Sequence, residues 1–150
     1  MRRSLGMLLV MGALGCSASL TSPSGPEPIV TTDGPLKLSV VDAPAQPGVL
    51  FIAAAVTGGA TSVTVKSTRY GSMCSTAVTA HADVVGNQVT LHVTYAERLT
   101  ICTADVRAVS YTANIGGLTI GNYDVHVVHT NPDGSTSTVL TQRVAVIPLD

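Results

Sequence analysis

The chain has no tryptophan, a single phenylalanine, three cysteines and few charges, 11% of its 150 residues. Glutamate is nearly absent, represented by Glu27 and Glu97 alone. No G-x-S-x-G elbow, H-E-x-x-H, phosphate-binding loop or dinucleotide fingerprint occurs, which removes the motif-bearing hydrolases, metalloproteases and nucleotide enzymes. An acid–base pair would have to be assembled from scattered residues, so the sequence reads as a non-enzyme without a cofactor. No apolar run is long enough to cross a bilayer as a helix, which takes about 20 residues. A helical apolar period is missing as well, and Val and Thr, which together make about a quarter of the chain, favour strands.

What is present begins at the N-terminus. Met1-Arg2-Arg3-Ser4 is a basic start, and Leu5 to Leu14 a short apolar core, the pattern of an export signal. Ala13-Leu14-Gly15-Cys16 resembles the lipobox of bacterial lipoproteins, with Ala13 and Leu14 in exchanged order. The resemblance implies cleavage before Cys16, diacylglycerol on its sulfur and acylation of the new amine, hence an anchor in the cell envelope. Ser17 rather than Asp after the cysteine implies the outer membrane where a cell has one. An ordinary signal cut after Ala18, releasing a soluble product, is the alternative.

With Cys16 committed to lipid, Cys74 and Cys102 remain as a pair, and in an oxidising compartment a disulfide between them is expected. Two buried or reactive thiols are the alternative; no C-x-x-C spacing supports a redox or zinc role. Loss of Arg2 and Arg3 with the signal leaves six basic residues against nine acidic, a formal charge of −3. That surface has no basic field to gather nucleic acid. The segment 16–35 is rich in Ser, Thr and Pro and reads as a tether after the signal peptide 1–15, which leaves 36–150 for one domain.

Candidate strands span 36–41, 49–56, 61–68, 77–85, 88–95, 104–113, 122–130 and 136–147, punctuated by Gly, Pro and Asn. They predict an all-β fold, an antiparallel sandwich of about seven to eight strands. A two-residue turn at Gly86-Asn87 sets a register that pairs Val84 with Val89, Ala82 with Leu91, Ala80 with Val93 and Val78 with Tyr95 on the core face. The same register sets His81 against His92 on the wet face and brings Cys74 near Cys102. A second turn at Gly58-Gly59 would pair Ile52 with Val65 and Ala54 with Val63; a third falls at Asn131-Pro132-Asp133-Gly134.

The run Leu118-Thr119-Ile120-Gly121-Asn122-Tyr123 resembles the tyrosine corner of immunoglobulin-like and fibronectin type III domains. It implies an immunoglobulin-like sandwich in which the Tyr123 hydroxyl bonds upstream backbone, with Leu118 and Gly121 as the other motif positions. Val125 stands where antibody domains carry a cysteine, so the Cys74–Cys102 pair is a different staple. Fold likeness of this kind assigns no activity.

Chemistry is concentrated in few places. His81, His92 and Asp83 share one face of the first hairpin and form a candidate metal-ligand set; the bland reading is solvated side chains on a Thr-rich sheet. His126 and His129 are three apart on a strand and therefore on opposite faces. Asn131 to Gly134 looks like a calcium loop but lacks the acidic ligands that would follow. Asp105 and Arg107 share a strand face and are expected to meet each other or solvent. Phe51 is expected either in the core or outward as a contact anchor. The best overall reading is a lipid-tethered module that binds an envelope protein or glycan; the alternative is a small metal-binding or enzymatic lipoprotein centred on the histidine pair.

Overall fold

The computed structural model describes residues 29–46, 48, 51–70, 74–102 and 106–148. The signal, Cys16, most of the proposed tether and Asp105 lie outside the described residues. Nine strands and no helix occur among those described: β1 (Ile29–Asp33), β2 (Leu36–Pro44), β3 (Ile52–Gly58), β4 (Val63–Tyr70), β5 (Cys74–Val85), β6 (Gln88–Cys102), β7 (Arg107–Ile115), β8 (Gly121–Thr130) and β9 (Thr136–Val146). They form two sheets, ordered β1-β2-β7-β4-β3 and β5-β6-β8-β9. The molecule is a β-sandwich.

Strand periodicity explains the layering. In β6, Val89, Leu91, Val93 and Tyr95 point inward and are buried, while Thr90, His92 and Thr94 alternate outward. From the opposite sheet Leu36, Leu38, Val63, Val65, Tyr111 and Ile115 meet them in one core. At about 25 cal/mol per Å² of apolar surface removed from water, this shared layer is the main stabilising term.

The hairpin at Gly86-Asn87 adopts the expected register along its length, His81 opposite His92 included. Gly86 has φ of 58°, the geometry of a turn that needs positive φ at its first central residue. At the other end of the ladder Cys74 and Cys102 are bridged. Val84, on the core face, remains exposed at the tip of β5, the edge strand of its sheet, whereas Val85 is exposed because alternation places it on the wet face with His81 and Asp83.

Three expectations are corrected. Residues 29–33 are not tether: they pair with β2, Ile29 against Val40 through Asp33 against Leu36, because a Val/Thr-rich segment extends an open edge. The second turn lies at Gly59–Ser62, closed by Gly59 N–H donating to the Ser62 carbonyl at 2.7 Å. Val56 therefore faces Val65, not Ile52, and a bulge separates Ile52 from Ala55 in the ladder. Gly58 serves close approach instead of a turn, since a β-carbon there would overlap the Ala145 carbonyl of β9. Lastly, the four-stranded sheet is mixed: β6 and β8 run parallel. The chain leaves β6 for β7 in the opposite sheet and returns, and such a crossover is what a parallel pair requires.

Candidate functional site

Two groupings of polar side chains stand apart from ordinary strand surface. The first is a cavity of about 250 Å³ at the end of the sandwich where β4 finishes and the β8–β9 turn begins. Phe51, Ser67, Arg69, Tyr70, His129 and Asn131 are among its walls. Phe51, 61% exposed, and Tyr70 present aromatic surface at the opening, so the outward alternative for Phe51 is the observed one.

Arg69 is half-buried on β4. Its guanidinium carbon sits 4.3 Å from the centroid of the Tyr95 ring, and Nη1 donates to Asn131 Oδ1 at 2.9 Å. Asn131 is fixed in turn by the tight β8–β9 connection, where its N–H donates to the Ser135 carbonyl at 2.8 Å and its amide to Ser135 Oγ at 3.0 Å. Among the described residues no carboxylate pairs with Arg69. The charge is held by a ring face and an amide oxygen, which position it without neutralising it.

Behind Arg69 lies a buried polar triangle. Tyr111 Oη and His129 Nε2 share a hydrogen bond of 2.9 Å, and the His129 ring makes T-shaped contacts with the rings of Tyr95 and Tyr111. Burial, with the nearby Arg69 charge adding to it, lowers the His129 pKa to about 4, so the imidazole is neutral at physiological pH. Burial also raises the Tyr111 and Tyr95 phenols, for Tyr95 against the opposing pull of Ser67 and Arg69. The Tyr95 hydroxyl is enclosed without a partner in hydrogen-bond geometry, and the Ser67 hydroxyl bonds the Ile52 and Ala53 carbonyls instead.

The second grouping is the predicted trio. His81 and His92 stack with ring centroids 4.6 Å apart and planes 8° from parallel. Asp83 Oδ2 lies 3.8 Å from His81 Nε2 and 3.5 Å from His92 Nε2. His126 shares their face of the sheet from β8, opposite Thr90, but bonds Thr141 Oγ1 at 3.2 Å and stays outside the trio.

No family model, curated protein or solved structure matches this chain. Tyr123 Oη donates to the Thr119 carbonyl at 3.1 Å, and Leu118 is buried in the core. Arg107 pairs with Asp42, Nε to Oδ1 at 2.7 Å, and the expectation for Asp105 falls outside the described residues. At the β8–β9 turn, Ser135 donates from its N–H and its hydroxyl to Asp133 Oδ1, bonds that lower the Asp133 pKa and occupy the carboxylate as a turn element.

Sequence reasoning missed Arg69, Tyr70 and Asn131 as a group because they meet only through the pairing of distant strands. One signal was readable for His129. Tyr123, Val125 and Val127 alternate inward, and His129 continues that phase into the core.

Proposed function

We propose that this protein is an envelope lipoprotein, anchored through lipid on Cys16, whose domain binds an envelope component carrying a carboxylate, in the cleft between Phe51 and Tyr70. The observation that carries the reading is Arg69: a half-buried cation held in place by Tyr95 and Asn131, with no carboxylate partner among the described residues. A half-buried charge without a counter-ion is partly desolvated at a cost, and an incoming carboxylate would relieve that cost with bidentate geometry. An acidic glycan suits the cleft best, since aromatic rims stack on sugar faces and the Asn131 amide and Arg69 are hydrogen-bonding groups.

The anchor reading is supported by the basic-apolar start ending at Gly15-Cys16, and by the Cys74–Cys102 bridge, which leaves Cys16 as the remaining cysteine. Outer-membrane residence follows from Ser17 on the same reading. Radioactive fatty acid should label the wild type and not Cys16→Ala; label retained in the variant refutes the anchor.

Ligand class is tested by calorimetric titration of the detergent-purified protein with a uronate-bearing oligosaccharide and its carboxyl-reduced counterpart. The acidic sugar should bind, the reduced one should bind weakly or not at all, and Arg69→Gln should weaken binding by about tenfold or more, the scale of one charge-assisted hydrogen bond. Equal affinity for both sugars would remove Arg69 from the reading; cross-linking in the native envelope then asks for a protein partner instead.

A further inference from the structure

We infer that His81, Asp83 and His92 form an exposed binding site for a divalent transition-metal ion, separate from the Arg69 cleft. One donor atom from each residue lies within 4.8 Å of the other two. Two donors on a tetrahedral zinc ion, each about 2.0–2.1 Å from the metal, stand roughly 3.3 Å apart. The two carboxylate–imidazole separations, 3.5 and 3.8 Å, are already close to that value.

The remaining adjustment is small and unobstructed. All three side chains are at least a third exposed, so their rings and carboxylate rotate without disturbing the core. The backbone beneath them is firm: His81 faces His92 in an unbroken ladder from Thr76–Glu97 to Val85–Gln88, closed by the Gly86-Asn87 turn, and β6 is flanked on its other side by β8. The two imidazoles project from one sheet face at cross-strand distance, and Asp83 adds a third ligand from the same face two residues along β5.

Ligand chemistry selects the ion. Two imidazoles and one carboxylate are borderline donors that suit Zn²⁺ and Cu²⁺; the hard ions Mg²⁺ and Ca²⁺ prefer all-oxygen cages. The Irving–Williams order places Cu²⁺ above Zn²⁺ at such a site. Three protein donors leave a coordination position for water or an exogenous ligand, the open pattern that distinguishes accessible metal sites from closed structural ones.

The test is titration of the detergent-purified full chain with Cu²⁺ and, separately, Zn²⁺ by calorimetry, with electron paramagnetic resonance on the Cu²⁺ form. One ion per chain should bind, Cu²⁺ more tightly than Zn²⁺, with nitrogen superhyperfine structure from two imidazoles. Replacing a group that merely supports a ligand costs about 10–100-fold, so His81→Ala, His92→Ala and Asp83→Asn should each weaken Cu²⁺ by tenfold or more. His126→Ala should leave binding unchanged, and far-ultraviolet circular dichroism should match wild type in all four variants. The inference is overturned if wild type binds neither ion, or if either His81→Ala or His92→Ala retains wild-type affinity.

Discussion

His129 enters the core as a neutral imidazole, and that has a consequence for acid stability. Its folded pKa, about 4, lies below its ordinary value of 6.5, through burial first and the Arg69 charge second. The unfolded chain therefore binds one more proton than the folded one between those values, and stability falls as pH drops from about 6.5 towards 4. Above 6.5 the contribution is fully present; at 4 and below up to roughly 3 kcal/mol has been lost. Urea unfolding at pH 7, 5 and 4 should show this slope in wild type and a shallower one in His129→Gln, which keeps a hydrogen-bonding group opposite Tyr111. An equal slope in both proteins would place the acid sensitivity elsewhere. At this scale the sequence was partly legible: it placed His126 and His129 on opposite faces, but an inward histidine needs a partner, and Tyr111 arrives from a strand that local pattern cannot pair with β8.

Single elements carry the next set of consequences. Gly58 closes β3 against β9, where Ile147 N–H also donates to the Gly59 carbonyl at 3.1 Å. Gly58→Ala would force the β3 and β9 backbones apart and should cost about 1–3 kcal/mol, the scale of overpacking, read as a lowered urea midpoint with unchanged slope. The β5–β6 hairpin is stapled by Cys74–Cys102 across 28 positions of sequence. Replacing both cysteines by serine should destabilise by roughly 3–4 kcal/mol on the chain-entropy account, with reduction of wild type producing the same shift. This hairpin was the most legible part of the chain, because an unbroken two-residue alternation and a Gly-Asn turn jointly fix its register. β3 was misread because Gly58-Gly59 carries the signature of a turn, whereas steric need at a distant carbonyl accounts for Gly58. Strand β1 was hidden by composition: Ser, Thr and Pro dominate the segment before it, and no alternating apolar period separates Ile29–Asp33 from that segment.

At the scale of the whole molecule the two sheets are joined by polar bonds as well as by their core, and one set of these is a charged clamp. Asp42 on β2 accepts from Arg107 Nε at 2.7 Å and, from the other sheet, from the Thr76 N–H of β5 at 2.8 Å, while Arg107 Nη2 donates to the Asp42 carbonyl at 3.0 Å. Both charged side chains are largely buried, at 15% and 16% exposure. Asp42→Ala leaves the Arg107 guanidinium with a backbone carbonyl but no counter-ion and leaves the Thr76 N–H unpaired, so it should cost about 3 kcal/mol, well above a surface pair. A loss below about 1 kcal/mol in chemical unfolding would show that water takes over both bonds. The two-sheet, all-β class was readable from Val/Thr content and turn spacing. The order of strands was not, since neither the parallel β6–β8 pair nor the Asp42 clamp leaves a mark in any local window.

The pairing of β1 also decides how the domain answers to a pull on its N-terminal segment. Ile29 lies opposite Val40, and Asp33 opposite Leu36 at the end where β2, β4 and β7 meet at Leu36, Val63 and Ile115. Ile147, bonded to Gly59, leaves β9 at that same end, whereas the Arg69 cleft is at the opposite one. Tension between the two termini therefore runs along β1 and loads its rungs together, in shear. Tension resisted at the cleft end arrives from the end where Ile29 sits and opens the rungs one after another, in peeling. Detachment of these five residues would release about 16 Å of chain, at roughly 3.3 Å each. The edge strand acts as a fuse whose strength depends on where the load is borne.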